Sequence, residues 1–160
     1  MWRYSKKTSR QHILVEHAKA YFSPEEKQAW YQVTQRAGHF IEEQVLEAID
    51  PKDSTLELPS WYVSSRLSTP EENYRGIDIV VETNDLGRFF IQVKSSLKYV
   101  NKFLLNSTRT RIAIMVVPPN DTFQRIRTKF FQTARMERDW LKKRRSGSGE
   151  RPPADRTLVY

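Results

Sequence analysis

Residues 76–94 read Gly76-Ile77-Asp78-Ile79-Val80-Val81-Glu82, then Thr83-Asn84-Asp85-Leu86-Gly87, then Arg88-Phe89-Phe90-Ile91-Gln92-Val93-Lys94. The outer runs are rich in β-branched and aromatic residues, and the segment between them carries turn formers, so the stretch predicts an antiparallel hairpin. Side chains two apart on a strand share a face about 7 Å apart, which puts Gln92 and Lys94 on the same side. Asp78 joins them only if the loop is odd. The segment Thr83 to Gly87 is a five-residue loop centred on Asp85, with Gly87 free to take a positive φ, and this predicts Asp78 opposite Gln92. Both runs are mostly apolar, as central strands covered on two faces are. An aspartate or lysine inside such strands is costly unless it is paired, neutralised or bound to a cation. Two arrangements are open for Asp78 and Lys94: they pair with each other or face solvent on a half-exposed sheet, or they belong to a site.

Upstream, Ser23-Pro24-Glu25-Glu26 combines a capping serine, a proline at the first helical position and acids in the first turn. A helix is expected from there to about Ile49, continuous or broken near Gly38, with Asp50-Pro51 ending it. A period of 3.6 groups Glu42 with Val45, Leu46 and Ile49 on the apolar stripe and leaves Glu43 and Glu47 to the other side. Charged residues are rarely buried without a partner, so Glu42 is the functional candidate of the three. Trp61 to Leu67 reads as a further strand. Downstream, Ser96 to Asn106 reads as a helix, Arg111-Ile112-Ala113-Ile114-Met115-Val116-Val117 as a buried strand stopped by Pro118-Pro119, and the following residues as a long helix. In that last helix Phe123, Ile126, Phe130, Ala134 and Leu141 form the packing face, with Arg125, Arg127, Lys129, Arg135, Arg138 and Lys142 to Arg145 between them.

The elements in this order (a helix with Gly38-x-x-x-Glu42, a strand with Gly76-Ile77-Asp78, a strand with Gln92-Val93-Lys94 followed by small polar residues, then helix, strand and helix) resemble the PD-(D/E)XK nuclease superfamily. The spacing from Gly38 to Glu42 is most similar to that of small Holliday-junction-resolvase-like members, and the likeness covers residues 37–118. It implies an α/β fold with a restriction-endonuclease-like core in αβββαβ order, a mixed central sheet flanked by helices. It also implies hydrolysis of phosphodiester bonds in DNA, branched or structured DNA included, with Mg²⁺ or Mn²⁺. Asp78 would then be the central metal ligand, Glu42 a direct or water-mediated one, and Lys94 the group that orients the attacking water. Gln92 departs from the pattern, because it stands where the family usually has Asp or Glu; an amide oxygen can ligate a hard cation but brings no formal charge. The alternative is a catalytically weak or inactive module of the same fold that binds nucleic acid or assembles with a partner. The resemblance further suggests a homodimer.

Composition fits a polyanionic partner. Lys and Arg number 27 against 19 acids, for a formal net charge of +8, which favours contact with phosphates. Arg75, Ser95, Ser96, Lys98, Lys102, Arg109 and Arg111 flank the motif strands and are the candidates for tracking a backbone. Trp2 and Tyr4, among basic residues, are candidates for base stacking. Cysteine is absent, which excludes disulfides, thiolate metal sites and cysteine nucleophiles. His12, His17 and His39 lack metal-ligand spacing, and the glycines form no phosphate loop. No apolar run is long enough for a signal core or a membrane span, so the expectation is a cytoplasmic protein with no membrane partner. Three regions are expected: a basic arm or short helix over 1–22, a single domain over 23–145 and a mobile tail over 146–160 rich in Gly, Ser and Pro.

Overall fold

Ser23 and Glu26 cap the first helix reciprocally: the Glu26 N–H donates to Ser23 Oγ at 3.2 Å and the Ser23 N–H donates to Glu26 Oε2 at 2.7 Å. In the computed structural model, which describes residues 23–50, 57–100, 111–147 and 158–159, helix α1 runs Pro24–Ile49 without a break at Gly38. Backbone contacts divide the chain into two compact units inside this helix, residues 1–37 and 38–160. The described part of the first unit is the opening of α1, whose residues 31–37 are exposed. Predicted arm residues 1–22 lie outside the described residues.

The second unit is a mixed α/β structure. Its strands are β1 (Tyr62–Leu67), β2 (Ile79–Thr83), β3 (Gly87–Lys94) and β4 (Ala113–Val116), with the short helix α2 (Pro70–Tyr74) between β1 and β2 and the long helix α3 (Phe123–Arg145) after β4. The four strands lie in chain order in one sheet; β1, β2 and β3 pair antiparallel and β3 pairs parallel with β4. A two-residue strand β5, Leu158–Val159, adds in parallel to the far edge of β4. Of the expected mobile tail over 146–160, the described residues are 146–147, which close α3, and 158–159, which form β5; the edge of an apolar parallel strand is open to such a backbone. Of the expected helix over 96–106, Ser96 is a bend, residues 97–100 are helical and 101–106 lie outside the described residues.

Register follows loop parity. Val81 pairs with Phe89 and Ile79 with Ile91, so the hairpin is centred on Asp85. Its irregular part is shorter than the sequence suggests: Thr83 and Gly87 pair, leaving Asn84, Asp85 and Leu86 as the loop, with the same centre and therefore the same parity. Gly87 takes φ 77°, and Thr83 Oγ1 donates to the Gly87 carbonyl at 2.7 Å. A Cβ at Gly87 would meet nothing within 4 Å, so strain rather than clash governs a substitution. Gly87→Ala is expected to cost about 1–2 kcal/mol in urea denaturation, the usual penalty for a left-handed alanine.

Alternation along the strands builds two apolar layers. Ile79, Val81, Phe89, Ile91, Val93, Ala113 and Met115 pack against Val45, Ala48 and Ile49 of α1 and Ile126, Phe130 and Ala134 of α3. On the opposite face Val80 clusters with Ile77, Ile112 and Phe90, while Ile114 and Val116 cluster with Val100. Both faces are covered, as the uninterrupted apolar runs require. Phe123 is the exception to the expected packing face of α3: it is the first helical residue, beside the capping Thr122, and stands 49% exposed. Among the described residues no helix is long and apolar enough to cross a membrane.

Candidate functional site

Asp78 lies one residue before the β2 ladder, where its backbone is held on both sides. Its N–H donates to the Ile91 carbonyl at 3.0 Å and its carbonyl accepts from the Ser68 N–H at 2.9 Å. One step beyond the Ile79–Ile91 pair, the register sets Asp78 opposite Gln92. The side chains meet there: Asp78 Oδ2 accepts from Gln92 Nε2 and, at 2.7 Å, from the Val93 N–H. Asp78 and Gln92 are each 4% exposed. Lys94 follows on the same face of β3 and is partly buried. These groups gather at the end of the sheet away from the hairpin loop, where the parallel strands β3 and β4 present their carboxyl ends, a common place for ligands in α/β structures.

Glu42 comes from α1. Its side chain is 12% exposed and its Oε2 lies 3.3 Å from His39 Nδ1, one turn earlier on the helix. Glu43 and Glu47 are exposed, so the apolar stripe does select Glu42 among the three. The His39 contact escapes a search for metal-ligand spacing, because its only sequence signal is an i,i+3 separation from an acid on a helix.

The electrostatics of the cluster are one-sided. Burial, with the Glu42 charge adding to it, pushes the Asp78 carboxyl up to about 7 against the opposing pull of Lys94 and the two hydrogen bonds. Glu42 is likewise raised by burial, opposed by His39 and Lys94. Lys94 is lowered by burial, opposed by Asp78 and Glu42. Every member is driven towards its neutral form, as expected where two carboxylates share one ammonium in a poorly solvated place.

One polar atom here lacks a partner. Gln92 Oε1 is buried and accepts no hydrogen bond. Leaving an amide oxygen so costs about 1–3 kcal/mol, and a function that uses the lone pairs is one reason for a chain to tolerate it. Among the described residues no group of three or more His, Cys, Asp or Glu is arranged to hold a metal. A cation at this site would rest on Asp78, Glu42 and the Gln92 amide oxygen.

The remaining candidates separate. Arg75 is exposed and ion-paired with Glu71 at 2.7 Å. Ser95 and Ser96 form the bend directly after Lys94, and the exposed Lys98 places its ammonium 5.8 Å from the centre of the Tyr99 ring. Lys102 and Arg109, like Trp2, Tyr4, His12 and His17, lie outside the described residues. Arg111 has a different role from the one expected: it donates to both carboxylate oxygens of Glu137, at 2.6 and 2.9 Å, and stacks 3.5 Å from the centre of Trp140. Its guanidinium is thereby committed to holding α3 beside β4. Glu82 pairs across the ladder with Arg88 at 3.0 Å, at the hairpin end of β2.

Family models, curated proteins and solved structures were each compared with the chain, and none matches.

Proposed function

We propose that the chain is a divalent-cation-dependent nuclease with a restriction-endonuclease-like core, cutting phosphodiester bonds with Glu42, Asp78, Gln92 and Lys94. The observation that carries this reading is the buried meeting of Asp78 and Gln92 at the sheet end, with an unpartnered amide oxygen beside two carboxylates and one ammonium. The donor set is all oxygen, which suits Mg²⁺ or Mn²⁺. Asp78, the Gln92 amide oxygen and Glu42 would hold the ion, Glu42 directly or through water. When bound, it supplies positive charge that neutralises the phosphate and eases in-line attack by water. The chain's own contributions are separate from that. Lys94, its ammonium kept poorly hydrated by burial, orients the attacking water and steadies the charge that develops on the phosphoryl oxygens. The Val93 N–H fixes the Asp78 carboxylate, so that no reorganisation is needed during the reaction. The net charge of +8 supports a nucleic acid, DNA by resemblance, as the partner.

A second reading is a binding module of the same fold without cleavage. It is favoured by one specific observation: the Gln92 amide already satisfies Asp78, where no group of three or more His, Cys, Asp or Glu among the described residues is arranged to hold a metal. Incubating the protein with labelled single-stranded, duplex and branched DNA in Mn²⁺, with chelator controls, separates the two. The nuclease reading expects metal-dependent products that fall about 10²- to 10³-fold in Lys94→Ala. Equal product from wild type and Lys94→Ala, or none from either, leaves the binding module.

A further inference from the structure

We infer that the substrate strand engages this site unpaired, its bases stacking on Tyr74 and Tyr99 as its backbone passes Arg75 and Lys98. This rests on the cluster being a nucleic-acid site, and it adds which form of nucleic acid the surface fits. Tyr74 is 94% exposed, the most exposed large apolar side chain among the described residues. The turn that carries it is pinned from every side. Thr69 and Glu72 form a capping box, the Arg66 guanidinium donates to both Glu72 carboxylate oxygens at 2.8 and 2.9 Å, and the Ile77 and Arg75 N–H groups both donate to the Glu72 carbonyl. A rigid backbone under an exposed aromatic ring removes in advance the backbone part of the ordering entropy that stacking would otherwise cost. Four residues later the chain reaches Asp78, so the two Cα atoms stand within about 14 Å of each other.

The other side of the site repeats the arrangement. Residues 97–100 form a helical turn anchored by Val100, which is 1% exposed and packs on Ile114 and Val116. The parallel register pairs Ile114 with Gln92 and Val116 with Lys94, so this turn covers the sheet face that Gln92 and Lys94 occupy. Tyr99 is 49% exposed on that turn, with the Lys98 ammonium beside its ring. Each strand that delivers a site residue is therefore joined to an exposed tyrosine next to a cation, one on the way into Asp78 and one on the way out of Lys94. Arg75 pairs with the exposed Glu71, a surface contact of the kind that exchanges at little cost for a phosphate. Bases within a duplex are stacked on each other and hidden from such rings, whereas an unpaired strand offers every base face.

The test is equilibrium binding by fluorescence anisotropy of the full chain, in chelator so that nothing is cut, to a labelled oligothymidine, a labelled oligouridine and a labelled duplex. Tyr74→Ala and Tyr99→Ala are each expected to weaken oligonucleotide binding about 5- to 150-fold, while Tyr74→Phe and Tyr99→Phe bind as wild type does. Both rings are exposed, and unchanged melting temperatures establish that the variants fold. Preference for oligothymidine or for oligouridine supports the inference equally and assigns the strand to DNA or RNA. Tighter binding of duplex, alanine variants that bind like wild type, or no binding of either oligonucleotide overturns it. Because no cleavage is read, tyrosine-dependent binding by a protein that never cuts would sustain this surface and sink only the nuclease.

Discussion

Asp78→Asn is expected to abolish Mn²⁺-dependent cleavage, by about 10³-fold or more, while making the fold more stable at neutral and alkaline pH. The two effects have one origin. Asparagine keeps an oxygen to accept from the Val93 N–H and from Gln92 Nε2. It removes the charge that burial resists. The folded-state Asp78 carboxyl titrates at about 7, against 3.8 for the ordinary group. Between these values the folded protein holds a proton that the unfolded chain has released, so wild-type stability falls as pH rises from about 4 to 7 and is level above. The wild type should thus match Asp78→Asn near pH 4 and melt below it at pH 8, by a difference on the order of 2–4 kcal/mol. Thermal denaturation across that range, beside a cleavage assay, reads both effects. A variant less stable than wild type at pH 8 would mean that the carboxylate is paired in the fold rather than strained by it.

Arg111→Ala is expected to be the most destabilising single truncation outside the apolar core, at about 3–5 kcal/mol. Glu137 is 2% exposed on α3, and both of its oxygens take hydrogen bonds from the Arg111 guanidinium, which itself lies flat against Trp140. Removing the arginine takes these two bonds from a buried carboxylate, and a chain of this size should lose roughly 10 °C in melting temperature. Replacing both partners by apolar residues, Arg111→Met with Glu137→Leu, should recover most of the loss, because no carboxylate is then left buried without its arginine. A single variant that melts within about a degree of wild type would show that water reaches Glu137.

The contrast between these two clusters shows what was legible before the coordinates. The Asp78–Gln92 meeting follows from period-two alternation and an odd loop centred on Asp85, both local, and it survives even though the loop is shorter than the turn residues suggest. Glu42 stands apart from Glu43 and Glu47 by a 3.6-residue stripe, again local. The Arg111–Glu137 pair spans 26 positions and joins the start of a strand to a helix whose apolar positions read, in sequence, as separated by cations. No periodicity marks which acid of a charged helix turns inward. The same holds for Tyr74, an ordinary turn residue in sequence, and for the Gln92 oxygen, whose lack of a partner depends on every neighbour at once. β5 pairs through backbone groups, which carry no side-chain signal of which edge they will find.

The most direct measurement is Mn²⁺ binding itself, followed by the electron paramagnetic resonance signal of the free ion during titration of wild type, Asp78→Asn and Gln92→Leu at pH 8. A cation held by these oxygens predicts stoichiometric binding by wild type, none by Asp78→Asn, and weaker binding by Gln92→Leu, which lacks the amide oxygen. Binding by Asp78→Asn as tight as that of wild type, or no binding by wild type at millimolar Mn²⁺, would contradict the assignment of this cluster as a metal-dependent site.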